Sequence, residues 1–179
     1  MNDLILITGG ARSGKSRYAL SLTDSYSSPY FIATAVAFDD EMRHRIALHK
    51  QERSERFMSV EAPLDLGDAL CRKCSQADIV VVDCLTVWMG NLLHEHGMRS
   101  EPFNEVSVFL RALQQRHCPV VTVANELGMG LVPENAMGRW FRDAAGRLNQ
   151  EVATLATKTM FMVSGYPLTV KGSGIEGKR

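Results

Sequence analysis

The strongest constraint on the fold is a glycine-rich segment that follows a short apolar run. Leu4 to Thr8 is predicted to be a buried strand, and it leads directly into Gly9-Gly10-Ala11-Arg12-Ser13-Gly14-Lys15-Ser16. These eight residues match the pattern G-x-x-x-x-G-K-[ST], in which backbone N–H groups curl around a phosphate. A helical pattern starts near Gly14, so the segment has the strand before it and the helix after it that a phosphate loop requires. All eight residues are therefore predicted to bind a nucleotide, with Lys15 on the outer phosphates and the Ser16 hydroxyl on Mg²⁺.

Apolar runs alternate with helical patterns along the rest of the chain. The run Ile79-Val80-Val81-Val82 is typical of a central strand that is buried on both faces. Strands are predicted at 4–8, 30–34, 78–83, 119–124 and 159–164, and helices from near 14 to about 27 and at 39–56, 64–75, 86–93, 103–115 and 137–157. This alternation predicts an α/β fold with a mostly parallel sheet flanked by helices. We expect one domain over residues 1–170, followed by a Gly-rich, charged and mobile tail at 171–179.

The composition is that of an ordinary globular chain and excludes several functional classes. The 179 residues include 20 basic and 20 acidic side chains, so the chain lacks the basic excess that is usual for nucleic-acid binders. The N-terminus has no basic region of a signal peptide, and no apolar stretch approaches the length of a membrane span. We therefore expect a cytoplasmic protein with reduced cysteines and no nucleic-acid partner. The lone pair Cys71/Cys74 is expected to be unliganded, because a structural zinc site needs a second pair.

Two further residue types suggest chemistry. Asp83 ends the apolar strand, where a carboxylate either holds Mg²⁺ beside a phosphate loop or caps the next turn; the loop favours the metal role. Arg45, His49 and Arg53 are spaced four residues apart on one predicted helix face. The like charges of the two arginines favour neutral, nucleophilic imidazole at His49, but the pattern alone favours a solvated helix face with His49 at its edge. His94 and His96 are interpreted as a loop pair rather than as metal ligands.

Together with the phosphate loop, segments spread along most of the chain resemble one protein family. The run from Asn125 to Gln150 is the most specific of them. The other segments are Asp39-Asp40-Glu41-Met42, Asp83-Cys84-Leu85-Thr86 and Asn91-Leu92-Leu93. From about residue 4 to about residue 170, the chain resembles the bifunctional adenosylcobinamide kinase / adenosylcobinamide-phosphate guanylyltransferases of cobalamin biosynthesis.

The resemblance implies a RecA-like P-loop NTPase fold, a homotrimer and two reactions. Adenosylcobinamide is phosphorylated on its aminopropanol arm from ATP or GTP, and GMP then passes from GTP to that phosphate through a guanylylated histidine. The family's histidine corresponds to His49, which makes His49 and Lys15 the expected catalytic residues. The resemblance also implies that further residues hold the nucleotide, namely Thr34, Ala35, Val36, Lys50, Gln51, Glu52, Arg53, Glu61 and Asp83.

Three functions remain distinguishable at this stage. The alternative to the bifunctional enzyme is another small-molecule P-loop kinase that forms no covalent GMP intermediate. A RecA-like nucleic-acid protein would need a basic or aromatic contact surface, which the composition does not favour. The loop that starts at Asn125-Glu126 is either a substrate or subunit contact or simply a connection between strand and helix. No general base for the kinase step is identifiable from the sequence.

Overall fold

A computed structural model describes residues 2–36 and 56–173. It contains a sheet with the strand order β3-β2-β4-β5-β1-β6-β7. The strands are β1 Leu4–Gly9, β2 Pro29–Ala33, β3 Met58–Glu61, β4 Ile79–Asp83, β5 Val120–Val123, β6 Lys158–Val163 and β7 Tyr166–Lys171. All neighbouring pairs are parallel except β6 and β7. The predicted mostly parallel α/β sheet is confirmed.

Helices cover both faces of this sheet. They are α1 Lys15–Ser21, α2 Leu66–Asp68, which continues as a π-helical turn over Ala69–Lys73, α3 Leu85–His96, α4 Asn104–Gln114 and α5 Ala136–Leu155. Along β1, Ile5 and Ile7 face α1, whereas Leu4 and Leu6 face the layer of α2 to α5. No helix in the described ranges is long and apolar enough to span a bilayer.

The predicted strands lie within two residues of the observed ones, but two edge strands escaped prediction. β3 has four residues, and three of them are exposed, so no apolar run marks it. β7 follows a tight turn at Ser164 and Gly165, where φ is 51° and 89°. A Ser-Gly turn between two apolar stretches is a hairpin signal that sequence reasoning passed over.

One helix boundary changes a functional interpretation. Helix α3 runs on to His96, so the prediction that His94 and His96 form a loop pair is wrong. His96 Nε2 lies 2.7 Å from Glu105 Oε1 and thereby joins α3 to α4. The helix predicted over 39–56 lies outside the described residues except for its last residue.

Candidate functional site: the phosphate loop and its surroundings

The phosphate loop leaves the centre of the sheet through a backbone path that glycine makes possible. The φ of Gly9 is 146°, and that of Gly14, immediately before α1, is 92°. A Cβ at Gly9 would lie 2.6 Å from the Met162 carbonyl oxygen on β6, a distance that side chains do not tolerate. Gly9 therefore both turns the chain and lets the loop start close to β6.

Lys15 is the cation that the loop offers to a ligand. It is only 7 % exposed, and its Nζ donates a hydrogen bond of 2.6 Å to the Gly10 carbonyl oxygen. Burial lowers the pKa of Lys15, and the nearby Cys84 and Asp83 partly offset this shift. A desolvated ammonium group that is hydrogen-bonded to one carbonyl oxygen is well placed to exchange that partner for a phosphate oxygen.

Ser13 shows that the loop has unused hydrogen-bonding capacity. Its Oγ is buried and has no hydrogen-bond partner within residues 2–36 and 56–173. Its carbonyl oxygen accepts a 3.0 Å hydrogen bond from Gly165 N–H in the β6–β7 turn, so this hairpin supports the loop from outside. A buried hydroxyl without a partner costs free energy unless a ligand pairs with it, and a phosphate would do so. The supporting role of Gly165 was not predicted.

Asp83 lies at the carboxyl end of β4, and β5 separates β4 from the phosphate-loop strand β1. Its charge partly offsets the effect of burial on the pKa of Lys15, so the two side chains lie within electrostatic range of each other. Ser16, the other predicted magnesium ligand, follows Lys15 in the first turn of α1. Within the described ranges no group of three or more His, Cys, Asp or Glu side chains is placed to hold a metal. A hydroxyl and a carboxylate beside a phosphate loop are the oxygen donors that suit Mg²⁺ when phosphate oxygens complete the shell.

A buried asparagine joins the loops that follow β2 and β3. Asn91 on α3 is 6 % exposed, and its Nδ2 donates 2.8 Å and 2.9 Å hydrogen bonds to the carbonyl oxygens of Thr34 and Pro63. Thr34 Oγ1 in turn donates to Cys84 O and accepts from Cys84 N–H, both at 2.9 Å. We call these contacts the Asn91 clamp. It fixes the segment that contains Thr34, Ala35 and Val36 against the strand end at Asp83.

The structure therefore brings several predicted residues to one edge of the sheet. Thr34 follows β2, and Glu61 ends β3 as the register partner of Ala33, so both lie at the carboxyl ends of neighbouring strands. Ligands of parallel sheets bind at this edge. His49, Lys50, Gln51, Glu52 and Arg53 lie outside the described residues, and their roles remain predictions.

On the other side of β1 lies a cavity of about 570 Å³, between α5 and strands β1 and β6. The loop after β5 forms its rim, and Glu126 N–H donates 3.0 Å to the Gly9 carbonyl oxygen. Asn149 on α5 donates 3.2 Å to Asn125 O and so holds the loop against the helix. Eight of its twelve lining residues have polar or charged side chains; the lining comprises Leu6, Thr8, Glu126, Gly128, Arg142, Asp143, Gly146, Arg147, Asn149, Gln150, Ala153 and Thr159.

Comparisons with known proteins agree with this arrangement. Residues 5–170 match the sequence model of the family described as cobinamide kinase / cobinamide phosphate guanyltransferase. The chain is 38 % identical to the bifunctional adenosylcobalamin biosynthesis protein CobU of Escherichia coli K12, over 94 % of this chain and 99 % of that protein. It is 39 % identical to the corresponding protein CobP of Pseudomonas aeruginosa PAO1, over 96 % and 98 % of the two chains.

Solved structures share the fold at much lower identity. The RadB recombinase superposes with a TM-score of 0.51 and 19 % identity, over 89 % of this chain and 73 % of RadB. An ATPase of a bacterial type III secretion system gives a TM-score of 0.50 and 12 % identity, over 89 % and 50 % of the two chains. These similarities confirm the predicted RecA-like P-loop fold and carry no information about substrates.

Proposed function

Because the chain belongs to the cobinamide kinase / cobinamide phosphate guanyltransferase family, we propose that its single phosphate loop serves both reactions in turn. In the first reaction, ATP or GTP phosphorylates the hydroxyl on the aminopropanol arm of adenosylcobinamide. In the second, GTP donates GMP to the new phosphate and gives adenosyl-GDP-cobinamide. The observation that carries the proposal is the site itself. The phosphate loop, with the buried Lys15, lies between the strand ends of β2 and β3 and the cavity at β1 and β6.

The kinase step needs positioning and charge. The acceptor hydroxyl oxygen attacks the γ-phosphorus, the bond to the β–γ bridging oxygen breaks, and the nucleoside diphosphate leaves. Lys15 and the loop N–H groups offset the charge that develops on the phosphate oxygens. Ser16 and Asp83 are the residues that would hold Mg²⁺, which supplies further charge neutralisation.

The guanylyl transfer needs a protein nucleophile, and we assign that role to His49. Its neutral imidazole attacks the α-phosphorus of GTP, pyrophosphate leaves, and a phosphorus–nitrogen bond forms. A phosphate oxygen of adenosylcobinamide phosphate then attacks the same phosphorus and releases the histidine. Thr34, Ala35, Val36 and Glu61 are expected to hold GTP, together with Lys50 to Arg53, and the Asn91 clamp favours this for the β2 segment.

The deciding experiment is incubation with α-labelled GTP and Mg²⁺, followed by intact-protein mass measurement. Wild type is expected to gain one GMP through an acid-labile, base-stable phosphoramidate. His49→Ala is expected to lose the adduct and the GMP transfer but to retain measurable kinase activity, because γ-phosphoryl transfer uses no protein nucleophile. His44→Ala is the matched control and should behave like wild type. Kinase activity without any adduct on wild type would instead indicate a small-molecule P-loop kinase of another kind.

The resemblance also implies a homotrimer, and exposed apolar side chains support self-association. Tyr166 and Leu168 on the edge strand β7 are 79 % and 59 % exposed, and they lie opposite Val163 and Phe161 on β6. Met129 and Leu131 in the loop after β5 are even more exposed on average. Apolar surface of this kind commonly marks a protein interface. The mass in solution by sedimentation equilibrium tests the trimer. ATP and GTP as substrates favour a cytoplasmic location.

A further inference from the structure

The cavity beside α5 adjoins the phosphate loop but is separate from Thr34 and Glu61, which are predicted to hold the rest of the nucleotide. Thr34 and Glu61 follow β2 and β3, whereas the cavity lies on β1 and β6, with β4 and β5 between them in the sheet. Thr8, which lines the cavity, directly precedes the phosphate loop, and Glu126 at its rim is hydrogen-bonded to Gly9. A nucleotide whose phosphates lie over β1 would therefore have its base on one side and this cavity on the other.

The walls of the cavity carry one buried hydroxyl that no protein contact uses, and a carboxylate that is only partly used. Thr159 is 7 % exposed, and its Oγ1 has no hydrogen-bond partner in the described part of the chain. Its register partner on β1 is Leu6, so both side chains point toward α5. Glu126 uses Oε1 to accept a 2.7 Å hydrogen bond from Gly128 N–H, which orients its carboxylate at the rim. These groups fit a polar ligand, because buried polar atoms need partners.

The charges in the cavity fit a hydroxyl that becomes a phosphate. Arg142 and Arg147 lie one and a half turns apart on α5, and both contribute to the wall. Arg142 makes a long contact of 3.5 Å from Nε to Asp143 Oδ1, which leaves the rest of its guanidinium for a ligand. Guanidinium groups bind phosphate oxygens in a bidentate manner, and carboxylates accept hydrogen bonds from hydroxyls. A volume of about 570 Å³ suits a side arm rather than a whole corrinoid.

We propose that this cavity binds the aminopropanol arm of the acceptor substrate, an assignment that rests on the proposed function. In the kinase step Glu126 accepts the proton of the arm's hydroxyl while its oxygen bonds to the γ-phosphorus and the nucleoside diphosphate leaves. Arg142 and Arg147 then bind the phosphate that has formed. They keep the arm in place while GTP replaces the spent nucleotide.

Steady-state kinetics of the full chain with each acceptor test this assignment. Arg147→Gln is expected to raise KM for adenosylcobinamide phosphate about tenfold or more, since a hydrogen bond to a charged group is lost, and to affect KM for adenosylcobinamide much less. Arg72→Gln is the matched control, because Arg72 is exposed, pairs with Asp68 and does not line the cavity. Its KM for both acceptors should equal that of wild type.

Two more variants separate binding from chemistry. Glu126→Gln is expected to lower kcat of the kinase step by about a hundredfold or more, as loss of a general base does, while the GMP adduct with GTP alone still forms. Thr159→Val removes an unpaired hydroxyl, so we expect KM for adenosylcobinamide to rise about fivefold while the thermal midpoint stays or rises. Thr122→Val is its control, because Thr122 is buried on β5 and its hydroxyl donates a hydrogen bond to the Ile5 carbonyl oxygen. It should lose stability without a change in acceptor KM.

The outcomes distinguish this inference from the function on which it rests. Wild type that lacks kinase activity and the GMP adduct contradicts the proposed function. Active wild type with equal acceptor KM in Arg147→Gln and Arg72→Gln overturns the cavity assignment alone. An undiminished kinase kcat in Glu126→Gln overturns the role of the carboxylate. If Arg147→Gln raises KM for GTP as much as KM for adenosylcobinamide phosphate, the cavity belongs to the nucleotide site instead.

Discussion

Substitution of Asn91 by alanine should lower the free energy of unfolding and raise KM for GTP. The Nδ2 group donates to two carbonyl oxygens, one fully buried at Thr34 and one partly buried at Pro63. A buried acceptor that loses its partner costs about 1–3 kcal/mol, and a partly buried one costs less because water reaches it. We therefore expect Asn91→Ala to lower the free energy of unfolding by about 3 kcal/mol. A variant at Asn149, which makes a single 3.2 Å hydrogen bond to Asn125 O, should lose about 1 kcal/mol or less.

Urea denaturation followed by far-UV circular dichroism measures this difference. With a typical slope of about 2 kcal/mol per molar urea, the midpoint of Asn91→Ala should fall by about 1.5 M relative to wild type. KM for GTP should rise as well, because the segment after β2 is no longer fixed by the clamp. Equal midpoints for Asn91→Ala and Asn149→Ala would refute the claim that two carbonyls depend on this side chain.

The remaining predictions concern the phosphate loop. Lys15→Ala should abolish both the kinase reaction and the GMP transfer on a folded protein, since one cradle serves both; retention of either near the wild-type rate would reveal a second nucleotide site. Burial lowers the pKa of Lys15, so its cationic form, and with it GTP affinity, should be lost as pH rises through that lowered pKa. Fluorescence titrations with a labelled GTP at increasing alkaline pH should show this decline in wild type at a lower pH than in Lys15→Arg, whose guanidinium keeps its charge. Asp83→Asn should reduce Mg²⁺-dependent turnover, while the thermal midpoint stays close to that of wild type. Unchanged turnover with an unchanged magnesium requirement would instead assign Asp83 a capping role.

The central strands and the phosphate loop were predictable because their signals are local. A uniformly apolar stretch such as Ile79 to Val82 is stable only as a strand with both of its faces buried. The phosphate loop from Gly9 to Ser16 is recognised from contiguous residues. Edge strands lack that signal, because Met58 to Glu61 and Tyr166 to Lys171 are largely exposed. Their place in the sheet is decided by pairing with distant partners.

The same distinction holds for the site. The sequence predicted Lys15 and Asp83 at one edge, because the carboxyl ends of parallel strands meet there. The roles of Asn91 and Gly165 depend on contacts over 57 and 152 residues of chain, to Thr34 and to Ser13, and no spacing rule encodes them. The helix that contains His94 and His96 was predicted to end three residues too early, and the contact of His96 with Glu105 on the next helix is not visible in the local pattern.

The strand order has a consequence for how the protein is made. β1 leaves the ribosome first, yet its two neighbours in the sheet are β5 and β6, whose pairings join Ile5 to Val121 and to Lys158. Contacts over such distances along the chain are slow to form, because loop closure must be completed before they contribute. The phosphate loop therefore emerges before β5 and β6, the strands that flank β1, and the sheet beneath it is complete only after β6 has been translated. Until then the apolar residues of β1 are exposed in the nascent chain, where chaperones or aggregation partners compete for them.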